Sequence, residues 1–286
     1  MTSIAEFRAS AIARLEAAGV LTPEVDAELL IGHVLGLSRG EVQAKAIAGA
    51  ELRSDQFDEL DAMLERRVAR EPLQHITGRA YFRSLELAVG PGVFVPRPET
   101  EQVAQFAIDA LKAIPGPEPL AVDLGTGSGA IAFSLATEVP HSKVYAVEVS
   151  EDAFEWATRN RELTGATNAT LVLGGLADAL GDLDGRVDVV ISNPPYIPTE
   201  AVPRDLEVRL HDPNVALYGG DDGLDVVRQV STTALRLLRS GGTLVLEHGE
   251  LQGSEIAGLL RADGWTAVAT HRDLLGRDRA TVALRR

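Results

Sequence analysis

Asn193, Pro194, Pro195 and Tyr196 follow directly on the apolar run Arg186-Val-Asp-Val-Val-Ile-Ser192, and together they could clamp a planar nitrogen. Asn193 brings a carbonyl acceptor and an amide donor on one side chain. Each proline fixes its own φ, and Pro195 also restricts Pro194 to extended backbone, so the turn is stiff. Pro194 lacks an N–H but keeps a carbonyl that can point outward beside the Asn193 oxygen. Tyr196 adds a flat aromatic face. Two acceptors and a stacking surface suit a substrate carrying an NH2 group, either a carboxamide or an exocyclic base amine. The lone pair of such a nitrogen is delocalised. Acceptors on its hydrogens would orient it and stabilise the positive charge that develops during alkyl transfer. Taken alone, the same four residues also read as a Pro-rich turn closing a strand.

A second cluster shifts that balance. The run Pro119-Leu-Ala-Val-Asp-Leu124 empties into Gly125-Thr126-Gly127-Ser128-Gly129 and then the helical stretch Ala130-Ile-Ala-Phe-Ser-Leu-Ala136. Closely spaced glycines let the backbone approach a ligand and turn sharply into a helix. The G-x-G-x-G spacing lacks the final x-x-G of the dinucleotide fingerprint, and no Gly-Lys-Ser/Thr follows, so this is not a P-loop. Lys143-Val-Tyr-Ala-Val-Glu148 ends in an acid about 20 residues after the loop, where a carboxylate can accept both hydroxyls of a ribose. Loop and acid together argue for a nucleoside-containing cofactor. An acid at a strand end can otherwise be merely solvated.

These residues need strands to position them. From residue 98 onward apolar β-branched runs alternate with helical stretches, which predicts a doubly wound, mostly parallel α/β sheet. Its strands are 119–124, 143–148, 169–173, 186–192, 243–247, 265–271 and 280–284, with the final pair antiparallel. Ligands of such sheets gather beyond the carboxyl ends of the strands. Residues 1–70 read as helical throughout, with Asp55–Arg70 one amphipathic helix, Thr22-Pro23 and Ser38 helix starts, and Gly36 and Gly40 breaks. This unit carries no catalytic constellation and is expected to recognise a partner or to act as a stabilising cap. Residues 71–97 form a connector with a hairpin over 81–89, and 98–286 form the catalytic domain. The non-periodic stretch 197–223 reads as a substrate-contacting loop.

Composition narrows the function classes. With 27 Lys+Arg against 42 Asp+Glu, the formal charge is −15. Tight nucleic-acid binders take most of their affinity from basic contacts to phosphate, so such a partner is disfavoured and a basic protein partner is favoured. No cysteine is present, which excludes disulfides and thiol chemistry. The six histidines (33, 75, 141, 211, 248, 271) show no metal-ligand spacing, and His248, just past a strand end, reads as structural rather than as a site residue. No apolar run approaches the roughly 20 residues of a membrane helix. The start, Met1-Thr-Ser-Ile-Ala-Glu-Phe-Arg, has an acid where a signal peptide is basic and then apolar, so a cytoplasmic protein is expected.

Several segments beyond the tetrad carry a resemblance: Pro72-Leu-Gln-His-Ile-Thr-Gly78, Phe94-Val-Pro-Arg-Pro-Glu-Thr-Glu101, Ala216-Leu-Tyr-Gly-Gly-Asp-Asp-Gly-Leu224, Leu246-Glu-His-Gly249 and Arg272-Asp-Leu-Leu-Gly-Arg-Asp-Arg279. With the glycine loop and the tetrad, the chain resembles the HemK/PrmC family of class I S-adenosylmethionine-dependent methyltransferases, over nearly its whole length. The resemblance implies a Rossmann-like methyltransferase sheet with an antiparallel last strand, preceded by a small helical domain. It implies that Gly125, Thr126, Gly127, Ser128 and Gly129 hold the methionine part of S-adenosylmethionine, that Asp123 supports the loop, and that Glu148 binds the ribose. Asn193, Pro194, Pro195 and Tyr196 would clamp the target amide, with Asn193 also near the cofactor, and Arg97 would wall the site. Pro98 and the acids after it also read simply as a proline-led helix start. Many relatives carry an acid facing the adenine amine after the third strand. Here Gly174-Gly175-Leu176 stands in that place, leaving Leu176 to pack on the ring and the backbone or Asp178 to meet the amine.

The implied activity is methylation of the side-chain amide of the glutamine in the Gly-Gly-Gln loop of peptide chain release factors, leaving S-adenosylhomocysteine. The tetrad alone is shared with adenine and guanine amino-methyltransferases, and a glutamine of a large-subunit ribosomal protein is the other protein target. Direct in-line displacement is expected, with no side chain assigned as general base.

Overall fold

The computed structural model describes residues 2–286. The chain forms two compact units. The first comprises the residues up to Arg79 together with Pro203–His211, and the second comprises Ala80–Val202 and Asp212–Arg286.

The N-terminal segment of the first unit holds α1 (Ile4–Ala17), α2 (Pro23–Leu35), α3 (Arg39–Ile47), α4 (Ser54–Val68) and α5 (Leu73–Thr77). Ser3 and Ser38 each accept from the amide three residues on, and Glu6 and Glu41 return the bond, so α1 and α3 begin in capping boxes. α2 opens on Pro23 and ends at Gly36 in the left-handed conformation, as the sequence predicts. Gly40 departs from expectation, because it lies inside the first turn of α3 rather than at a break. The Ser38–Glu41 box fixes the helix start ahead of it, where first-turn amides need no intrahelical partner. Phe7, Leu15, Leu30, Ile31, Leu60 and Leu64 fill the core. Glu28, fully buried, is held by Arg8, Arg39 and Gln43. Burial pushes its carboxyl up, but hydrogen bonds from Gln43 and the two guanidinium groups carry it below the ordinary value. The stretch 197–223 is not wholly irregular, since it holds short helices at Leu206–His211 and Asn214–Leu217. Glu207 of the former accepts from Arg67 Nη2 at 2.9 Å and from Arg70 Nη2 at 2.6 Å, within the first unit.

The second unit opens with the hairpin β1 (Arg79–Phe82) and β2 (Leu85–Ala88). Helix α6 (Pro98–Lys112) follows, then β3 (Leu120–Leu124), α7 (Ala130–Glu138), β4 (Lys143–Glu148), α8 (Glu151–Thr164), β5 (Ala169–Leu173) and β6 (Val187–Ser192). After the short helices come α9 (Asp225–Leu237), β7 (Leu238–Glu247), α10 (Gly253–Ala262), β8 (Thr266–Arg272) and β9 (Asp278–Leu284). The seven strands run in the order β5-β4-β3-β6-β7-β9-β8, parallel from β5 to β7 and antiparallel at β7–β9 and β8–β9. This is the Rossmann-like mixed sheet the sequence led us to expect. Every residue of β6 is buried, as a central parallel strand requires. The chain order reverses between β3 and β6, the switch point at which open sheets leave a crevice.

Candidate functional site

Strand register brings the candidate residues into one line. β3 pairs with β4 so that Leu124 faces Val147, and β6 pairs with β7 so that Ser192 faces Leu246. β3 and β6 pair through Asp123 and Ile191, and Ser192 Oγ donates to the Leu124 carbonyl at 2.6 Å. One residue beyond each pairing, the carboxyl ends present Glu148, Gly125, Asn193 and Glu247 in a row across four neighbouring strands. Neighbouring strands lie about 4.8 Å apart, so a nucleoside on one side and a planar amide on the other would be adjacent.

The side expected from the sequence to hold a cofactor is built largely by backbone. Gly125, Gly127 and Gly129 have φ of 78°, 58° and 85°, the left-handed region that disfavours any side chain. The amides of Gly125 and Thr126 both donate to the Val147 carbonyl at 2.9 Å, folding the loop over the end of β4. A Cβ added at Gly125 or Gly127 would meet nothing within 4 Å, so the loop offers bare backbone to open space. At Gly129 an added Cβ would lie 2.0 Å from the Phe133 ring, because the chain turns there into α7. Glu148 is already engaged: Oε2 accepts from Gly127 N at 2.7 Å, and Oε1 from Val149 N and Ser150 N at 2.9 Å. Each carboxylate oxygen has further lone-pair capacity for ribose hydroxyls.

Asp123 is fully buried beneath the loop. Its Oδ2 accepts from Thr126 Oγ1 at 2.6 Å, and its Oδ1 has no hydrogen-bond partner. Burial pushes its carboxyl up to about 7, against the Thr126 hydroxyl and the Ala132 amide that hold it down, while Glu148 adds repulsion. An orphaned carboxylate oxygen beside a bare backbone cradle fits a ligand that brings an ammonium group. Ser128, also buried, gives its carbonyl to Asn160 Nδ2 at 2.9 Å. Asn160 bonds Ala88 through both its amide nitrogen and its oxygen, which ties the β2 strand to the glycine loop. No sequence motif announced that bridge. After β5, Leu176 is half-buried against the core around β3 and α9, and its carbonyl accepts from Thr233 Oγ1, whereas Asp178 is exposed.

The tetrad is braced from several directions. Pro194 is buried, and Asn193, Pro195 and Tyr196 are half-buried. Asn193 Nδ2 donates to Thr100 Oγ1, in the first turn of α6, at 3.4 Å. Gln252 Nε2 donates to the Tyr196 carbonyl at 2.9 Å. Burial raises the Tyr196 phenol to about 12 and the Glu247 carboxylate adds to the effect, so the ring stays neutral and is no base at pH 7. Ile197 pairs with Tyr218, and an added Cβ at Gly219 or Gly223 would strike the carbonyl of Pro195 at 2.5 Å or of Tyr196 at 2.4 Å. That close approach is the physical content of the glycines in 216–224. Arg97, at the N-cap of α6, reaches Asp212 Oδ2 at 2.9 Å and lies 4.8 Å over the Phe94 ring. The sequence reading missed Thr100 and Glu247. Glu247 is 2% exposed, and burial pushes its carboxyl up to about 7 against Thr100 and Arg279, which hold it down, while Glu99 raises it. His248 is fully buried with one ring nitrogen 2.9 Å from the Gly249 carbonyl and the other 2.9 Å from Thr281 Oγ1. Both nitrogens are spent on structure.

Residues 6–78 match the family model of the PrmC N-terminal domain, and residues 84–212 match that of the methyltransferase small domain. The Release factor glutamine methyltransferase of Streptomyces coelicolor is 51% identical over 96% of this chain and 95% of its own. That of Mycolicibacterium smegmatis is 42% identical over 100% and 99%. A 4-amino-L-phenylalanine/4-methylamino-L-phenylalanine methyltransferase of Streptomyces pristinaespiralis is 37% identical over 94% and 91%. Among solved structures, a methyltransferase from Pyrococcus furiosus covers 81% of this chain and 98% of its own at 22% identity, with a TM-score of 0.52. A T. thermophilus 16S rRNA N2 methyltransferase, solved with AdoMet and guanosine, covers 73% and 50% at 22% identity, with a TM-score of 0.53. These two structures share the fold.

Proposed function

Because the chain belongs to the release factor glutamine methyltransferase family, we propose that it methylates the side-chain amide of the glutamine in the Gly-Gly-Gln loop of peptide chain release factors, using S-adenosylmethionine. The single observation that carries this reading is the row Glu148–Gly125–Asn193–Glu247, which sets a nucleoside cradle beside an amide clamp. Asp123 would face the cofactor's ammonium, Gly125–Gly129 its methionine backbone, Glu148 its ribose and Leu176 its adenine. When bound, that cofactor supplies a methyl group on a positively charged sulfur, electrophilic without a metal or a base.

The chain's own residues then need only hold and polarise. Asn193 Oδ1 and the Pro194 carbonyl accept the two amide hydrogens, turning the nitrogen lone pair toward the methyl carbon. With the cofactor bound, this nitrogen would take the methyl as the sulfur–carbon bond breaks, and it would give its extra proton to water. Fixing both reactants in line supplies most of the acceleration. Tyr196 stacks on the amide plane and Arg97 walls the entrance.

The helical unit serves partner recognition. Leu21 and Ile47, 88% and 89% exposed there, would be its apolar contacts. Leu21→Ser with Ile47→Ser should raise KM for the intact factor and leave a short Gly-Gly-Gln peptide unaffected; an equal change for both would remove that role. The charge of −15 favours a basic partner, so added salt should lower kcat/KM for the factor.

Labelled S-adenosylmethionine, a purified release factor and its loop-glutamine variant test the main reading. Label on the wild-type factor alone establishes reaction and target. Label on neither factor but on 4-aminophenylalanine, a ribosomal protein or nucleic acid reassigns the substrate.

A further inference from the structure

A glycine loop has a weakness as a ligand cradle. Without side chains its peptide planes can turn over at little steric cost, and a turned plane exchanges carbonyl for N–H. The last plane of the Gly125–Gly129 loop is pinned at both ends. Its N–H, on Gly129, donates to the Thr126 carbonyl at 2.9 Å, within the loop. Its carbonyl, on Ser128, accepts at 2.9 Å from Asn160 Nδ2 on α8, 32 residues away.

Asn160 is fully buried, and its partners dictate which way round its amide lies. The Ala88 N–H can bond only to an acceptor, so the atom 2.7 Å from it is Oδ1. Nδ2 then commits its two hydrogens to the Ala88 and Ser128 carbonyls, each at 2.9 Å. Turned over, the amide would set donor against donor and oxygen against both carbonyls. Ala88, at the end of β2, is itself part of a longer contact with α8. Asp152, Trp156 and Asn160 are four residues apart and share one face of that helix. Segment 88–92 runs along this face in the opposite direction. Trp156 Nε1 donates to the Pro91 carbonyl at 3.1 Å. An added Cβ would lie 2.6 Å from the Trp156 ring at Gly90 and 2.9 Å from Asp152 Cβ at Gly92.

We propose that Asn160 is a positioning residue for the cofactor: it fixes the Ser128 carbonyl, so that the glycine loop is shaped before a ligand arrives, and segment 88–92 holds Asn160 in place. The proposal rests on the cofactor role given to the loop above. Preorganisation removes an ordering cost from binding, so its loss is read in affinity.

The test is the Kd of S-adenosylhomocysteine, measured by calorimetry on the full chain and its variants, with kcat measured separately. Asn160→Ala and Asn160→Leu should each raise Kd about 10- to 100-fold, the scale of a buried hydrogen bond lost, with kcat at saturating cofactor falling far less. Ser231→Ala controls for a merely structural role. Ser231 is as buried as Asn160, lies in the same unit, and bonds Asp263 and Trp265 but no loop residue. Its loss should lower the thermal midpoint and leave Kd within about twofold, as distant sites do not couple. Trp156→Ala, at a half-buried ring, probes the same contacts from the surface and should also raise Kd. An unchanged Kd in the Asn160 variants, or in Trp156→Ala should those variants not fold, overturns the proposal. So does a loss of affinity in Ser231→Ala equal to theirs. If the wild type itself binds no S-adenosylhomocysteine, the cofactor reading fails, which is a different outcome from binding that the variants keep.

Discussion

The two halves of the site are built on opposite principles. On the side proposed for the cofactor the bonds within the loop are local, although Asn160 ties that loop to Ala88 across 72 residues. Asp123 and Thr126 bond three residues apart, and Gly127 and Glu148 bond across 21. The side proposed for the substrate is assembled from afar: Asn193 meets Thr100 across 93 residues, Tyr196 meets Gln252 across 56, and Arg97 meets Asp212 across 115. A cradle that must follow a nucleoside can be made of backbone, which every βα turn supplies. A clamp that must orient one amide needs side chains fixed in a chosen rotamer, and only packing from several elements fixes them. The two halves should therefore fail differently when broken.

Asn193→Ala separates them most strongly. It should cut kcat roughly 10²–10³-fold, as loss of one pre-aimed dipole does, and leave the cofactor Kd nearly unchanged. Comparable losses in both would mean that Asn193 belongs to the cradle as well.

The buried acids give the next contrast, because one lies in each half. Asp123 and Glu247 both have folded pKa values raised to about 7, from 3.8 and 4.5. A carboxyl raised in the native state binds more protons folded than unfolded between those values. Its stabilising contribution is complete at low pH and is lost as pH rises through about 7, on the order of 3 kcal/mol for each acid. Glu207, lowered to about 2 in the first unit, acts only below about 4.5, and His248, lowered by burial, runs the other way near 6.5. The comparison is thus best made between variants. Trp156 and Trp265 both lie in the second unit, so their fluorescence follows its unfolding alone. Between pH 5 and 8, Asp123→Asn and Glu247→Gln should each flatten the decline in its stability. Added cofactor should flatten it further in Glu247→Gln, where Asp123 remains, and little in Asp123→Asn. Equal responses to cofactor in the two variants would contradict the assignment of Asp123 to the ammonium.

Glu148→Gln should act on the cradle alone. Loss of charge-assisted hydrogen bonds, worth about 1.5–3 kcal/mol, should weaken cofactor binding roughly 10- to 100-fold. Turnover at saturating cofactor should stay within about threefold of wild type, as calorimetry and initial rates would report.

The same division explains what was legible in the sequence. β-Branched runs marked the buried strands because a central parallel strand is apolar on both faces, and β4 and β5 fall where they were expected. The glycine loop, the acid at the end of β4 and the tetrad stood out in the sequence because each is a short word at a strand end, and the strand register sets them in one row. Thr100 was not, since in Pro-Glu-Thr-Glu it looks like ordinary first-turn polarity, and Glu247 looks like a solvated strand end. Asn160, on α8, gives no sign that it bridges Ala88 and Ser128. Residues 203–211 read as loop because six helical residues are too few for periodicity, yet they belong to the helical unit, where Glu207 pairs with Arg67 and Arg70. What pattern misses in each case is a partner far along the chain.

The glycines carry that contrast inside the cradle itself. Gly125 and Gly129 share positive φ, so alanine strains both by about 1–2 kcal/mol. Their surroundings differ. Alanine at 125 would project into the open space left for the ligand, whereas alanine at 129 would run into Phe133 at the neck of α7. Gly129→Ala should therefore lower the second unit's thermal midpoint several degrees further than Gly125→Ala. Gly125→Ala should weaken cofactor binding more than Gly129→Ala does, once both are measured well below their midpoints. If the two variants lost affinity and stability in the same proportion, the loop would be a single rigid turn, and the distinction between its ligand-facing and helix-facing glycines would have no physical meaning.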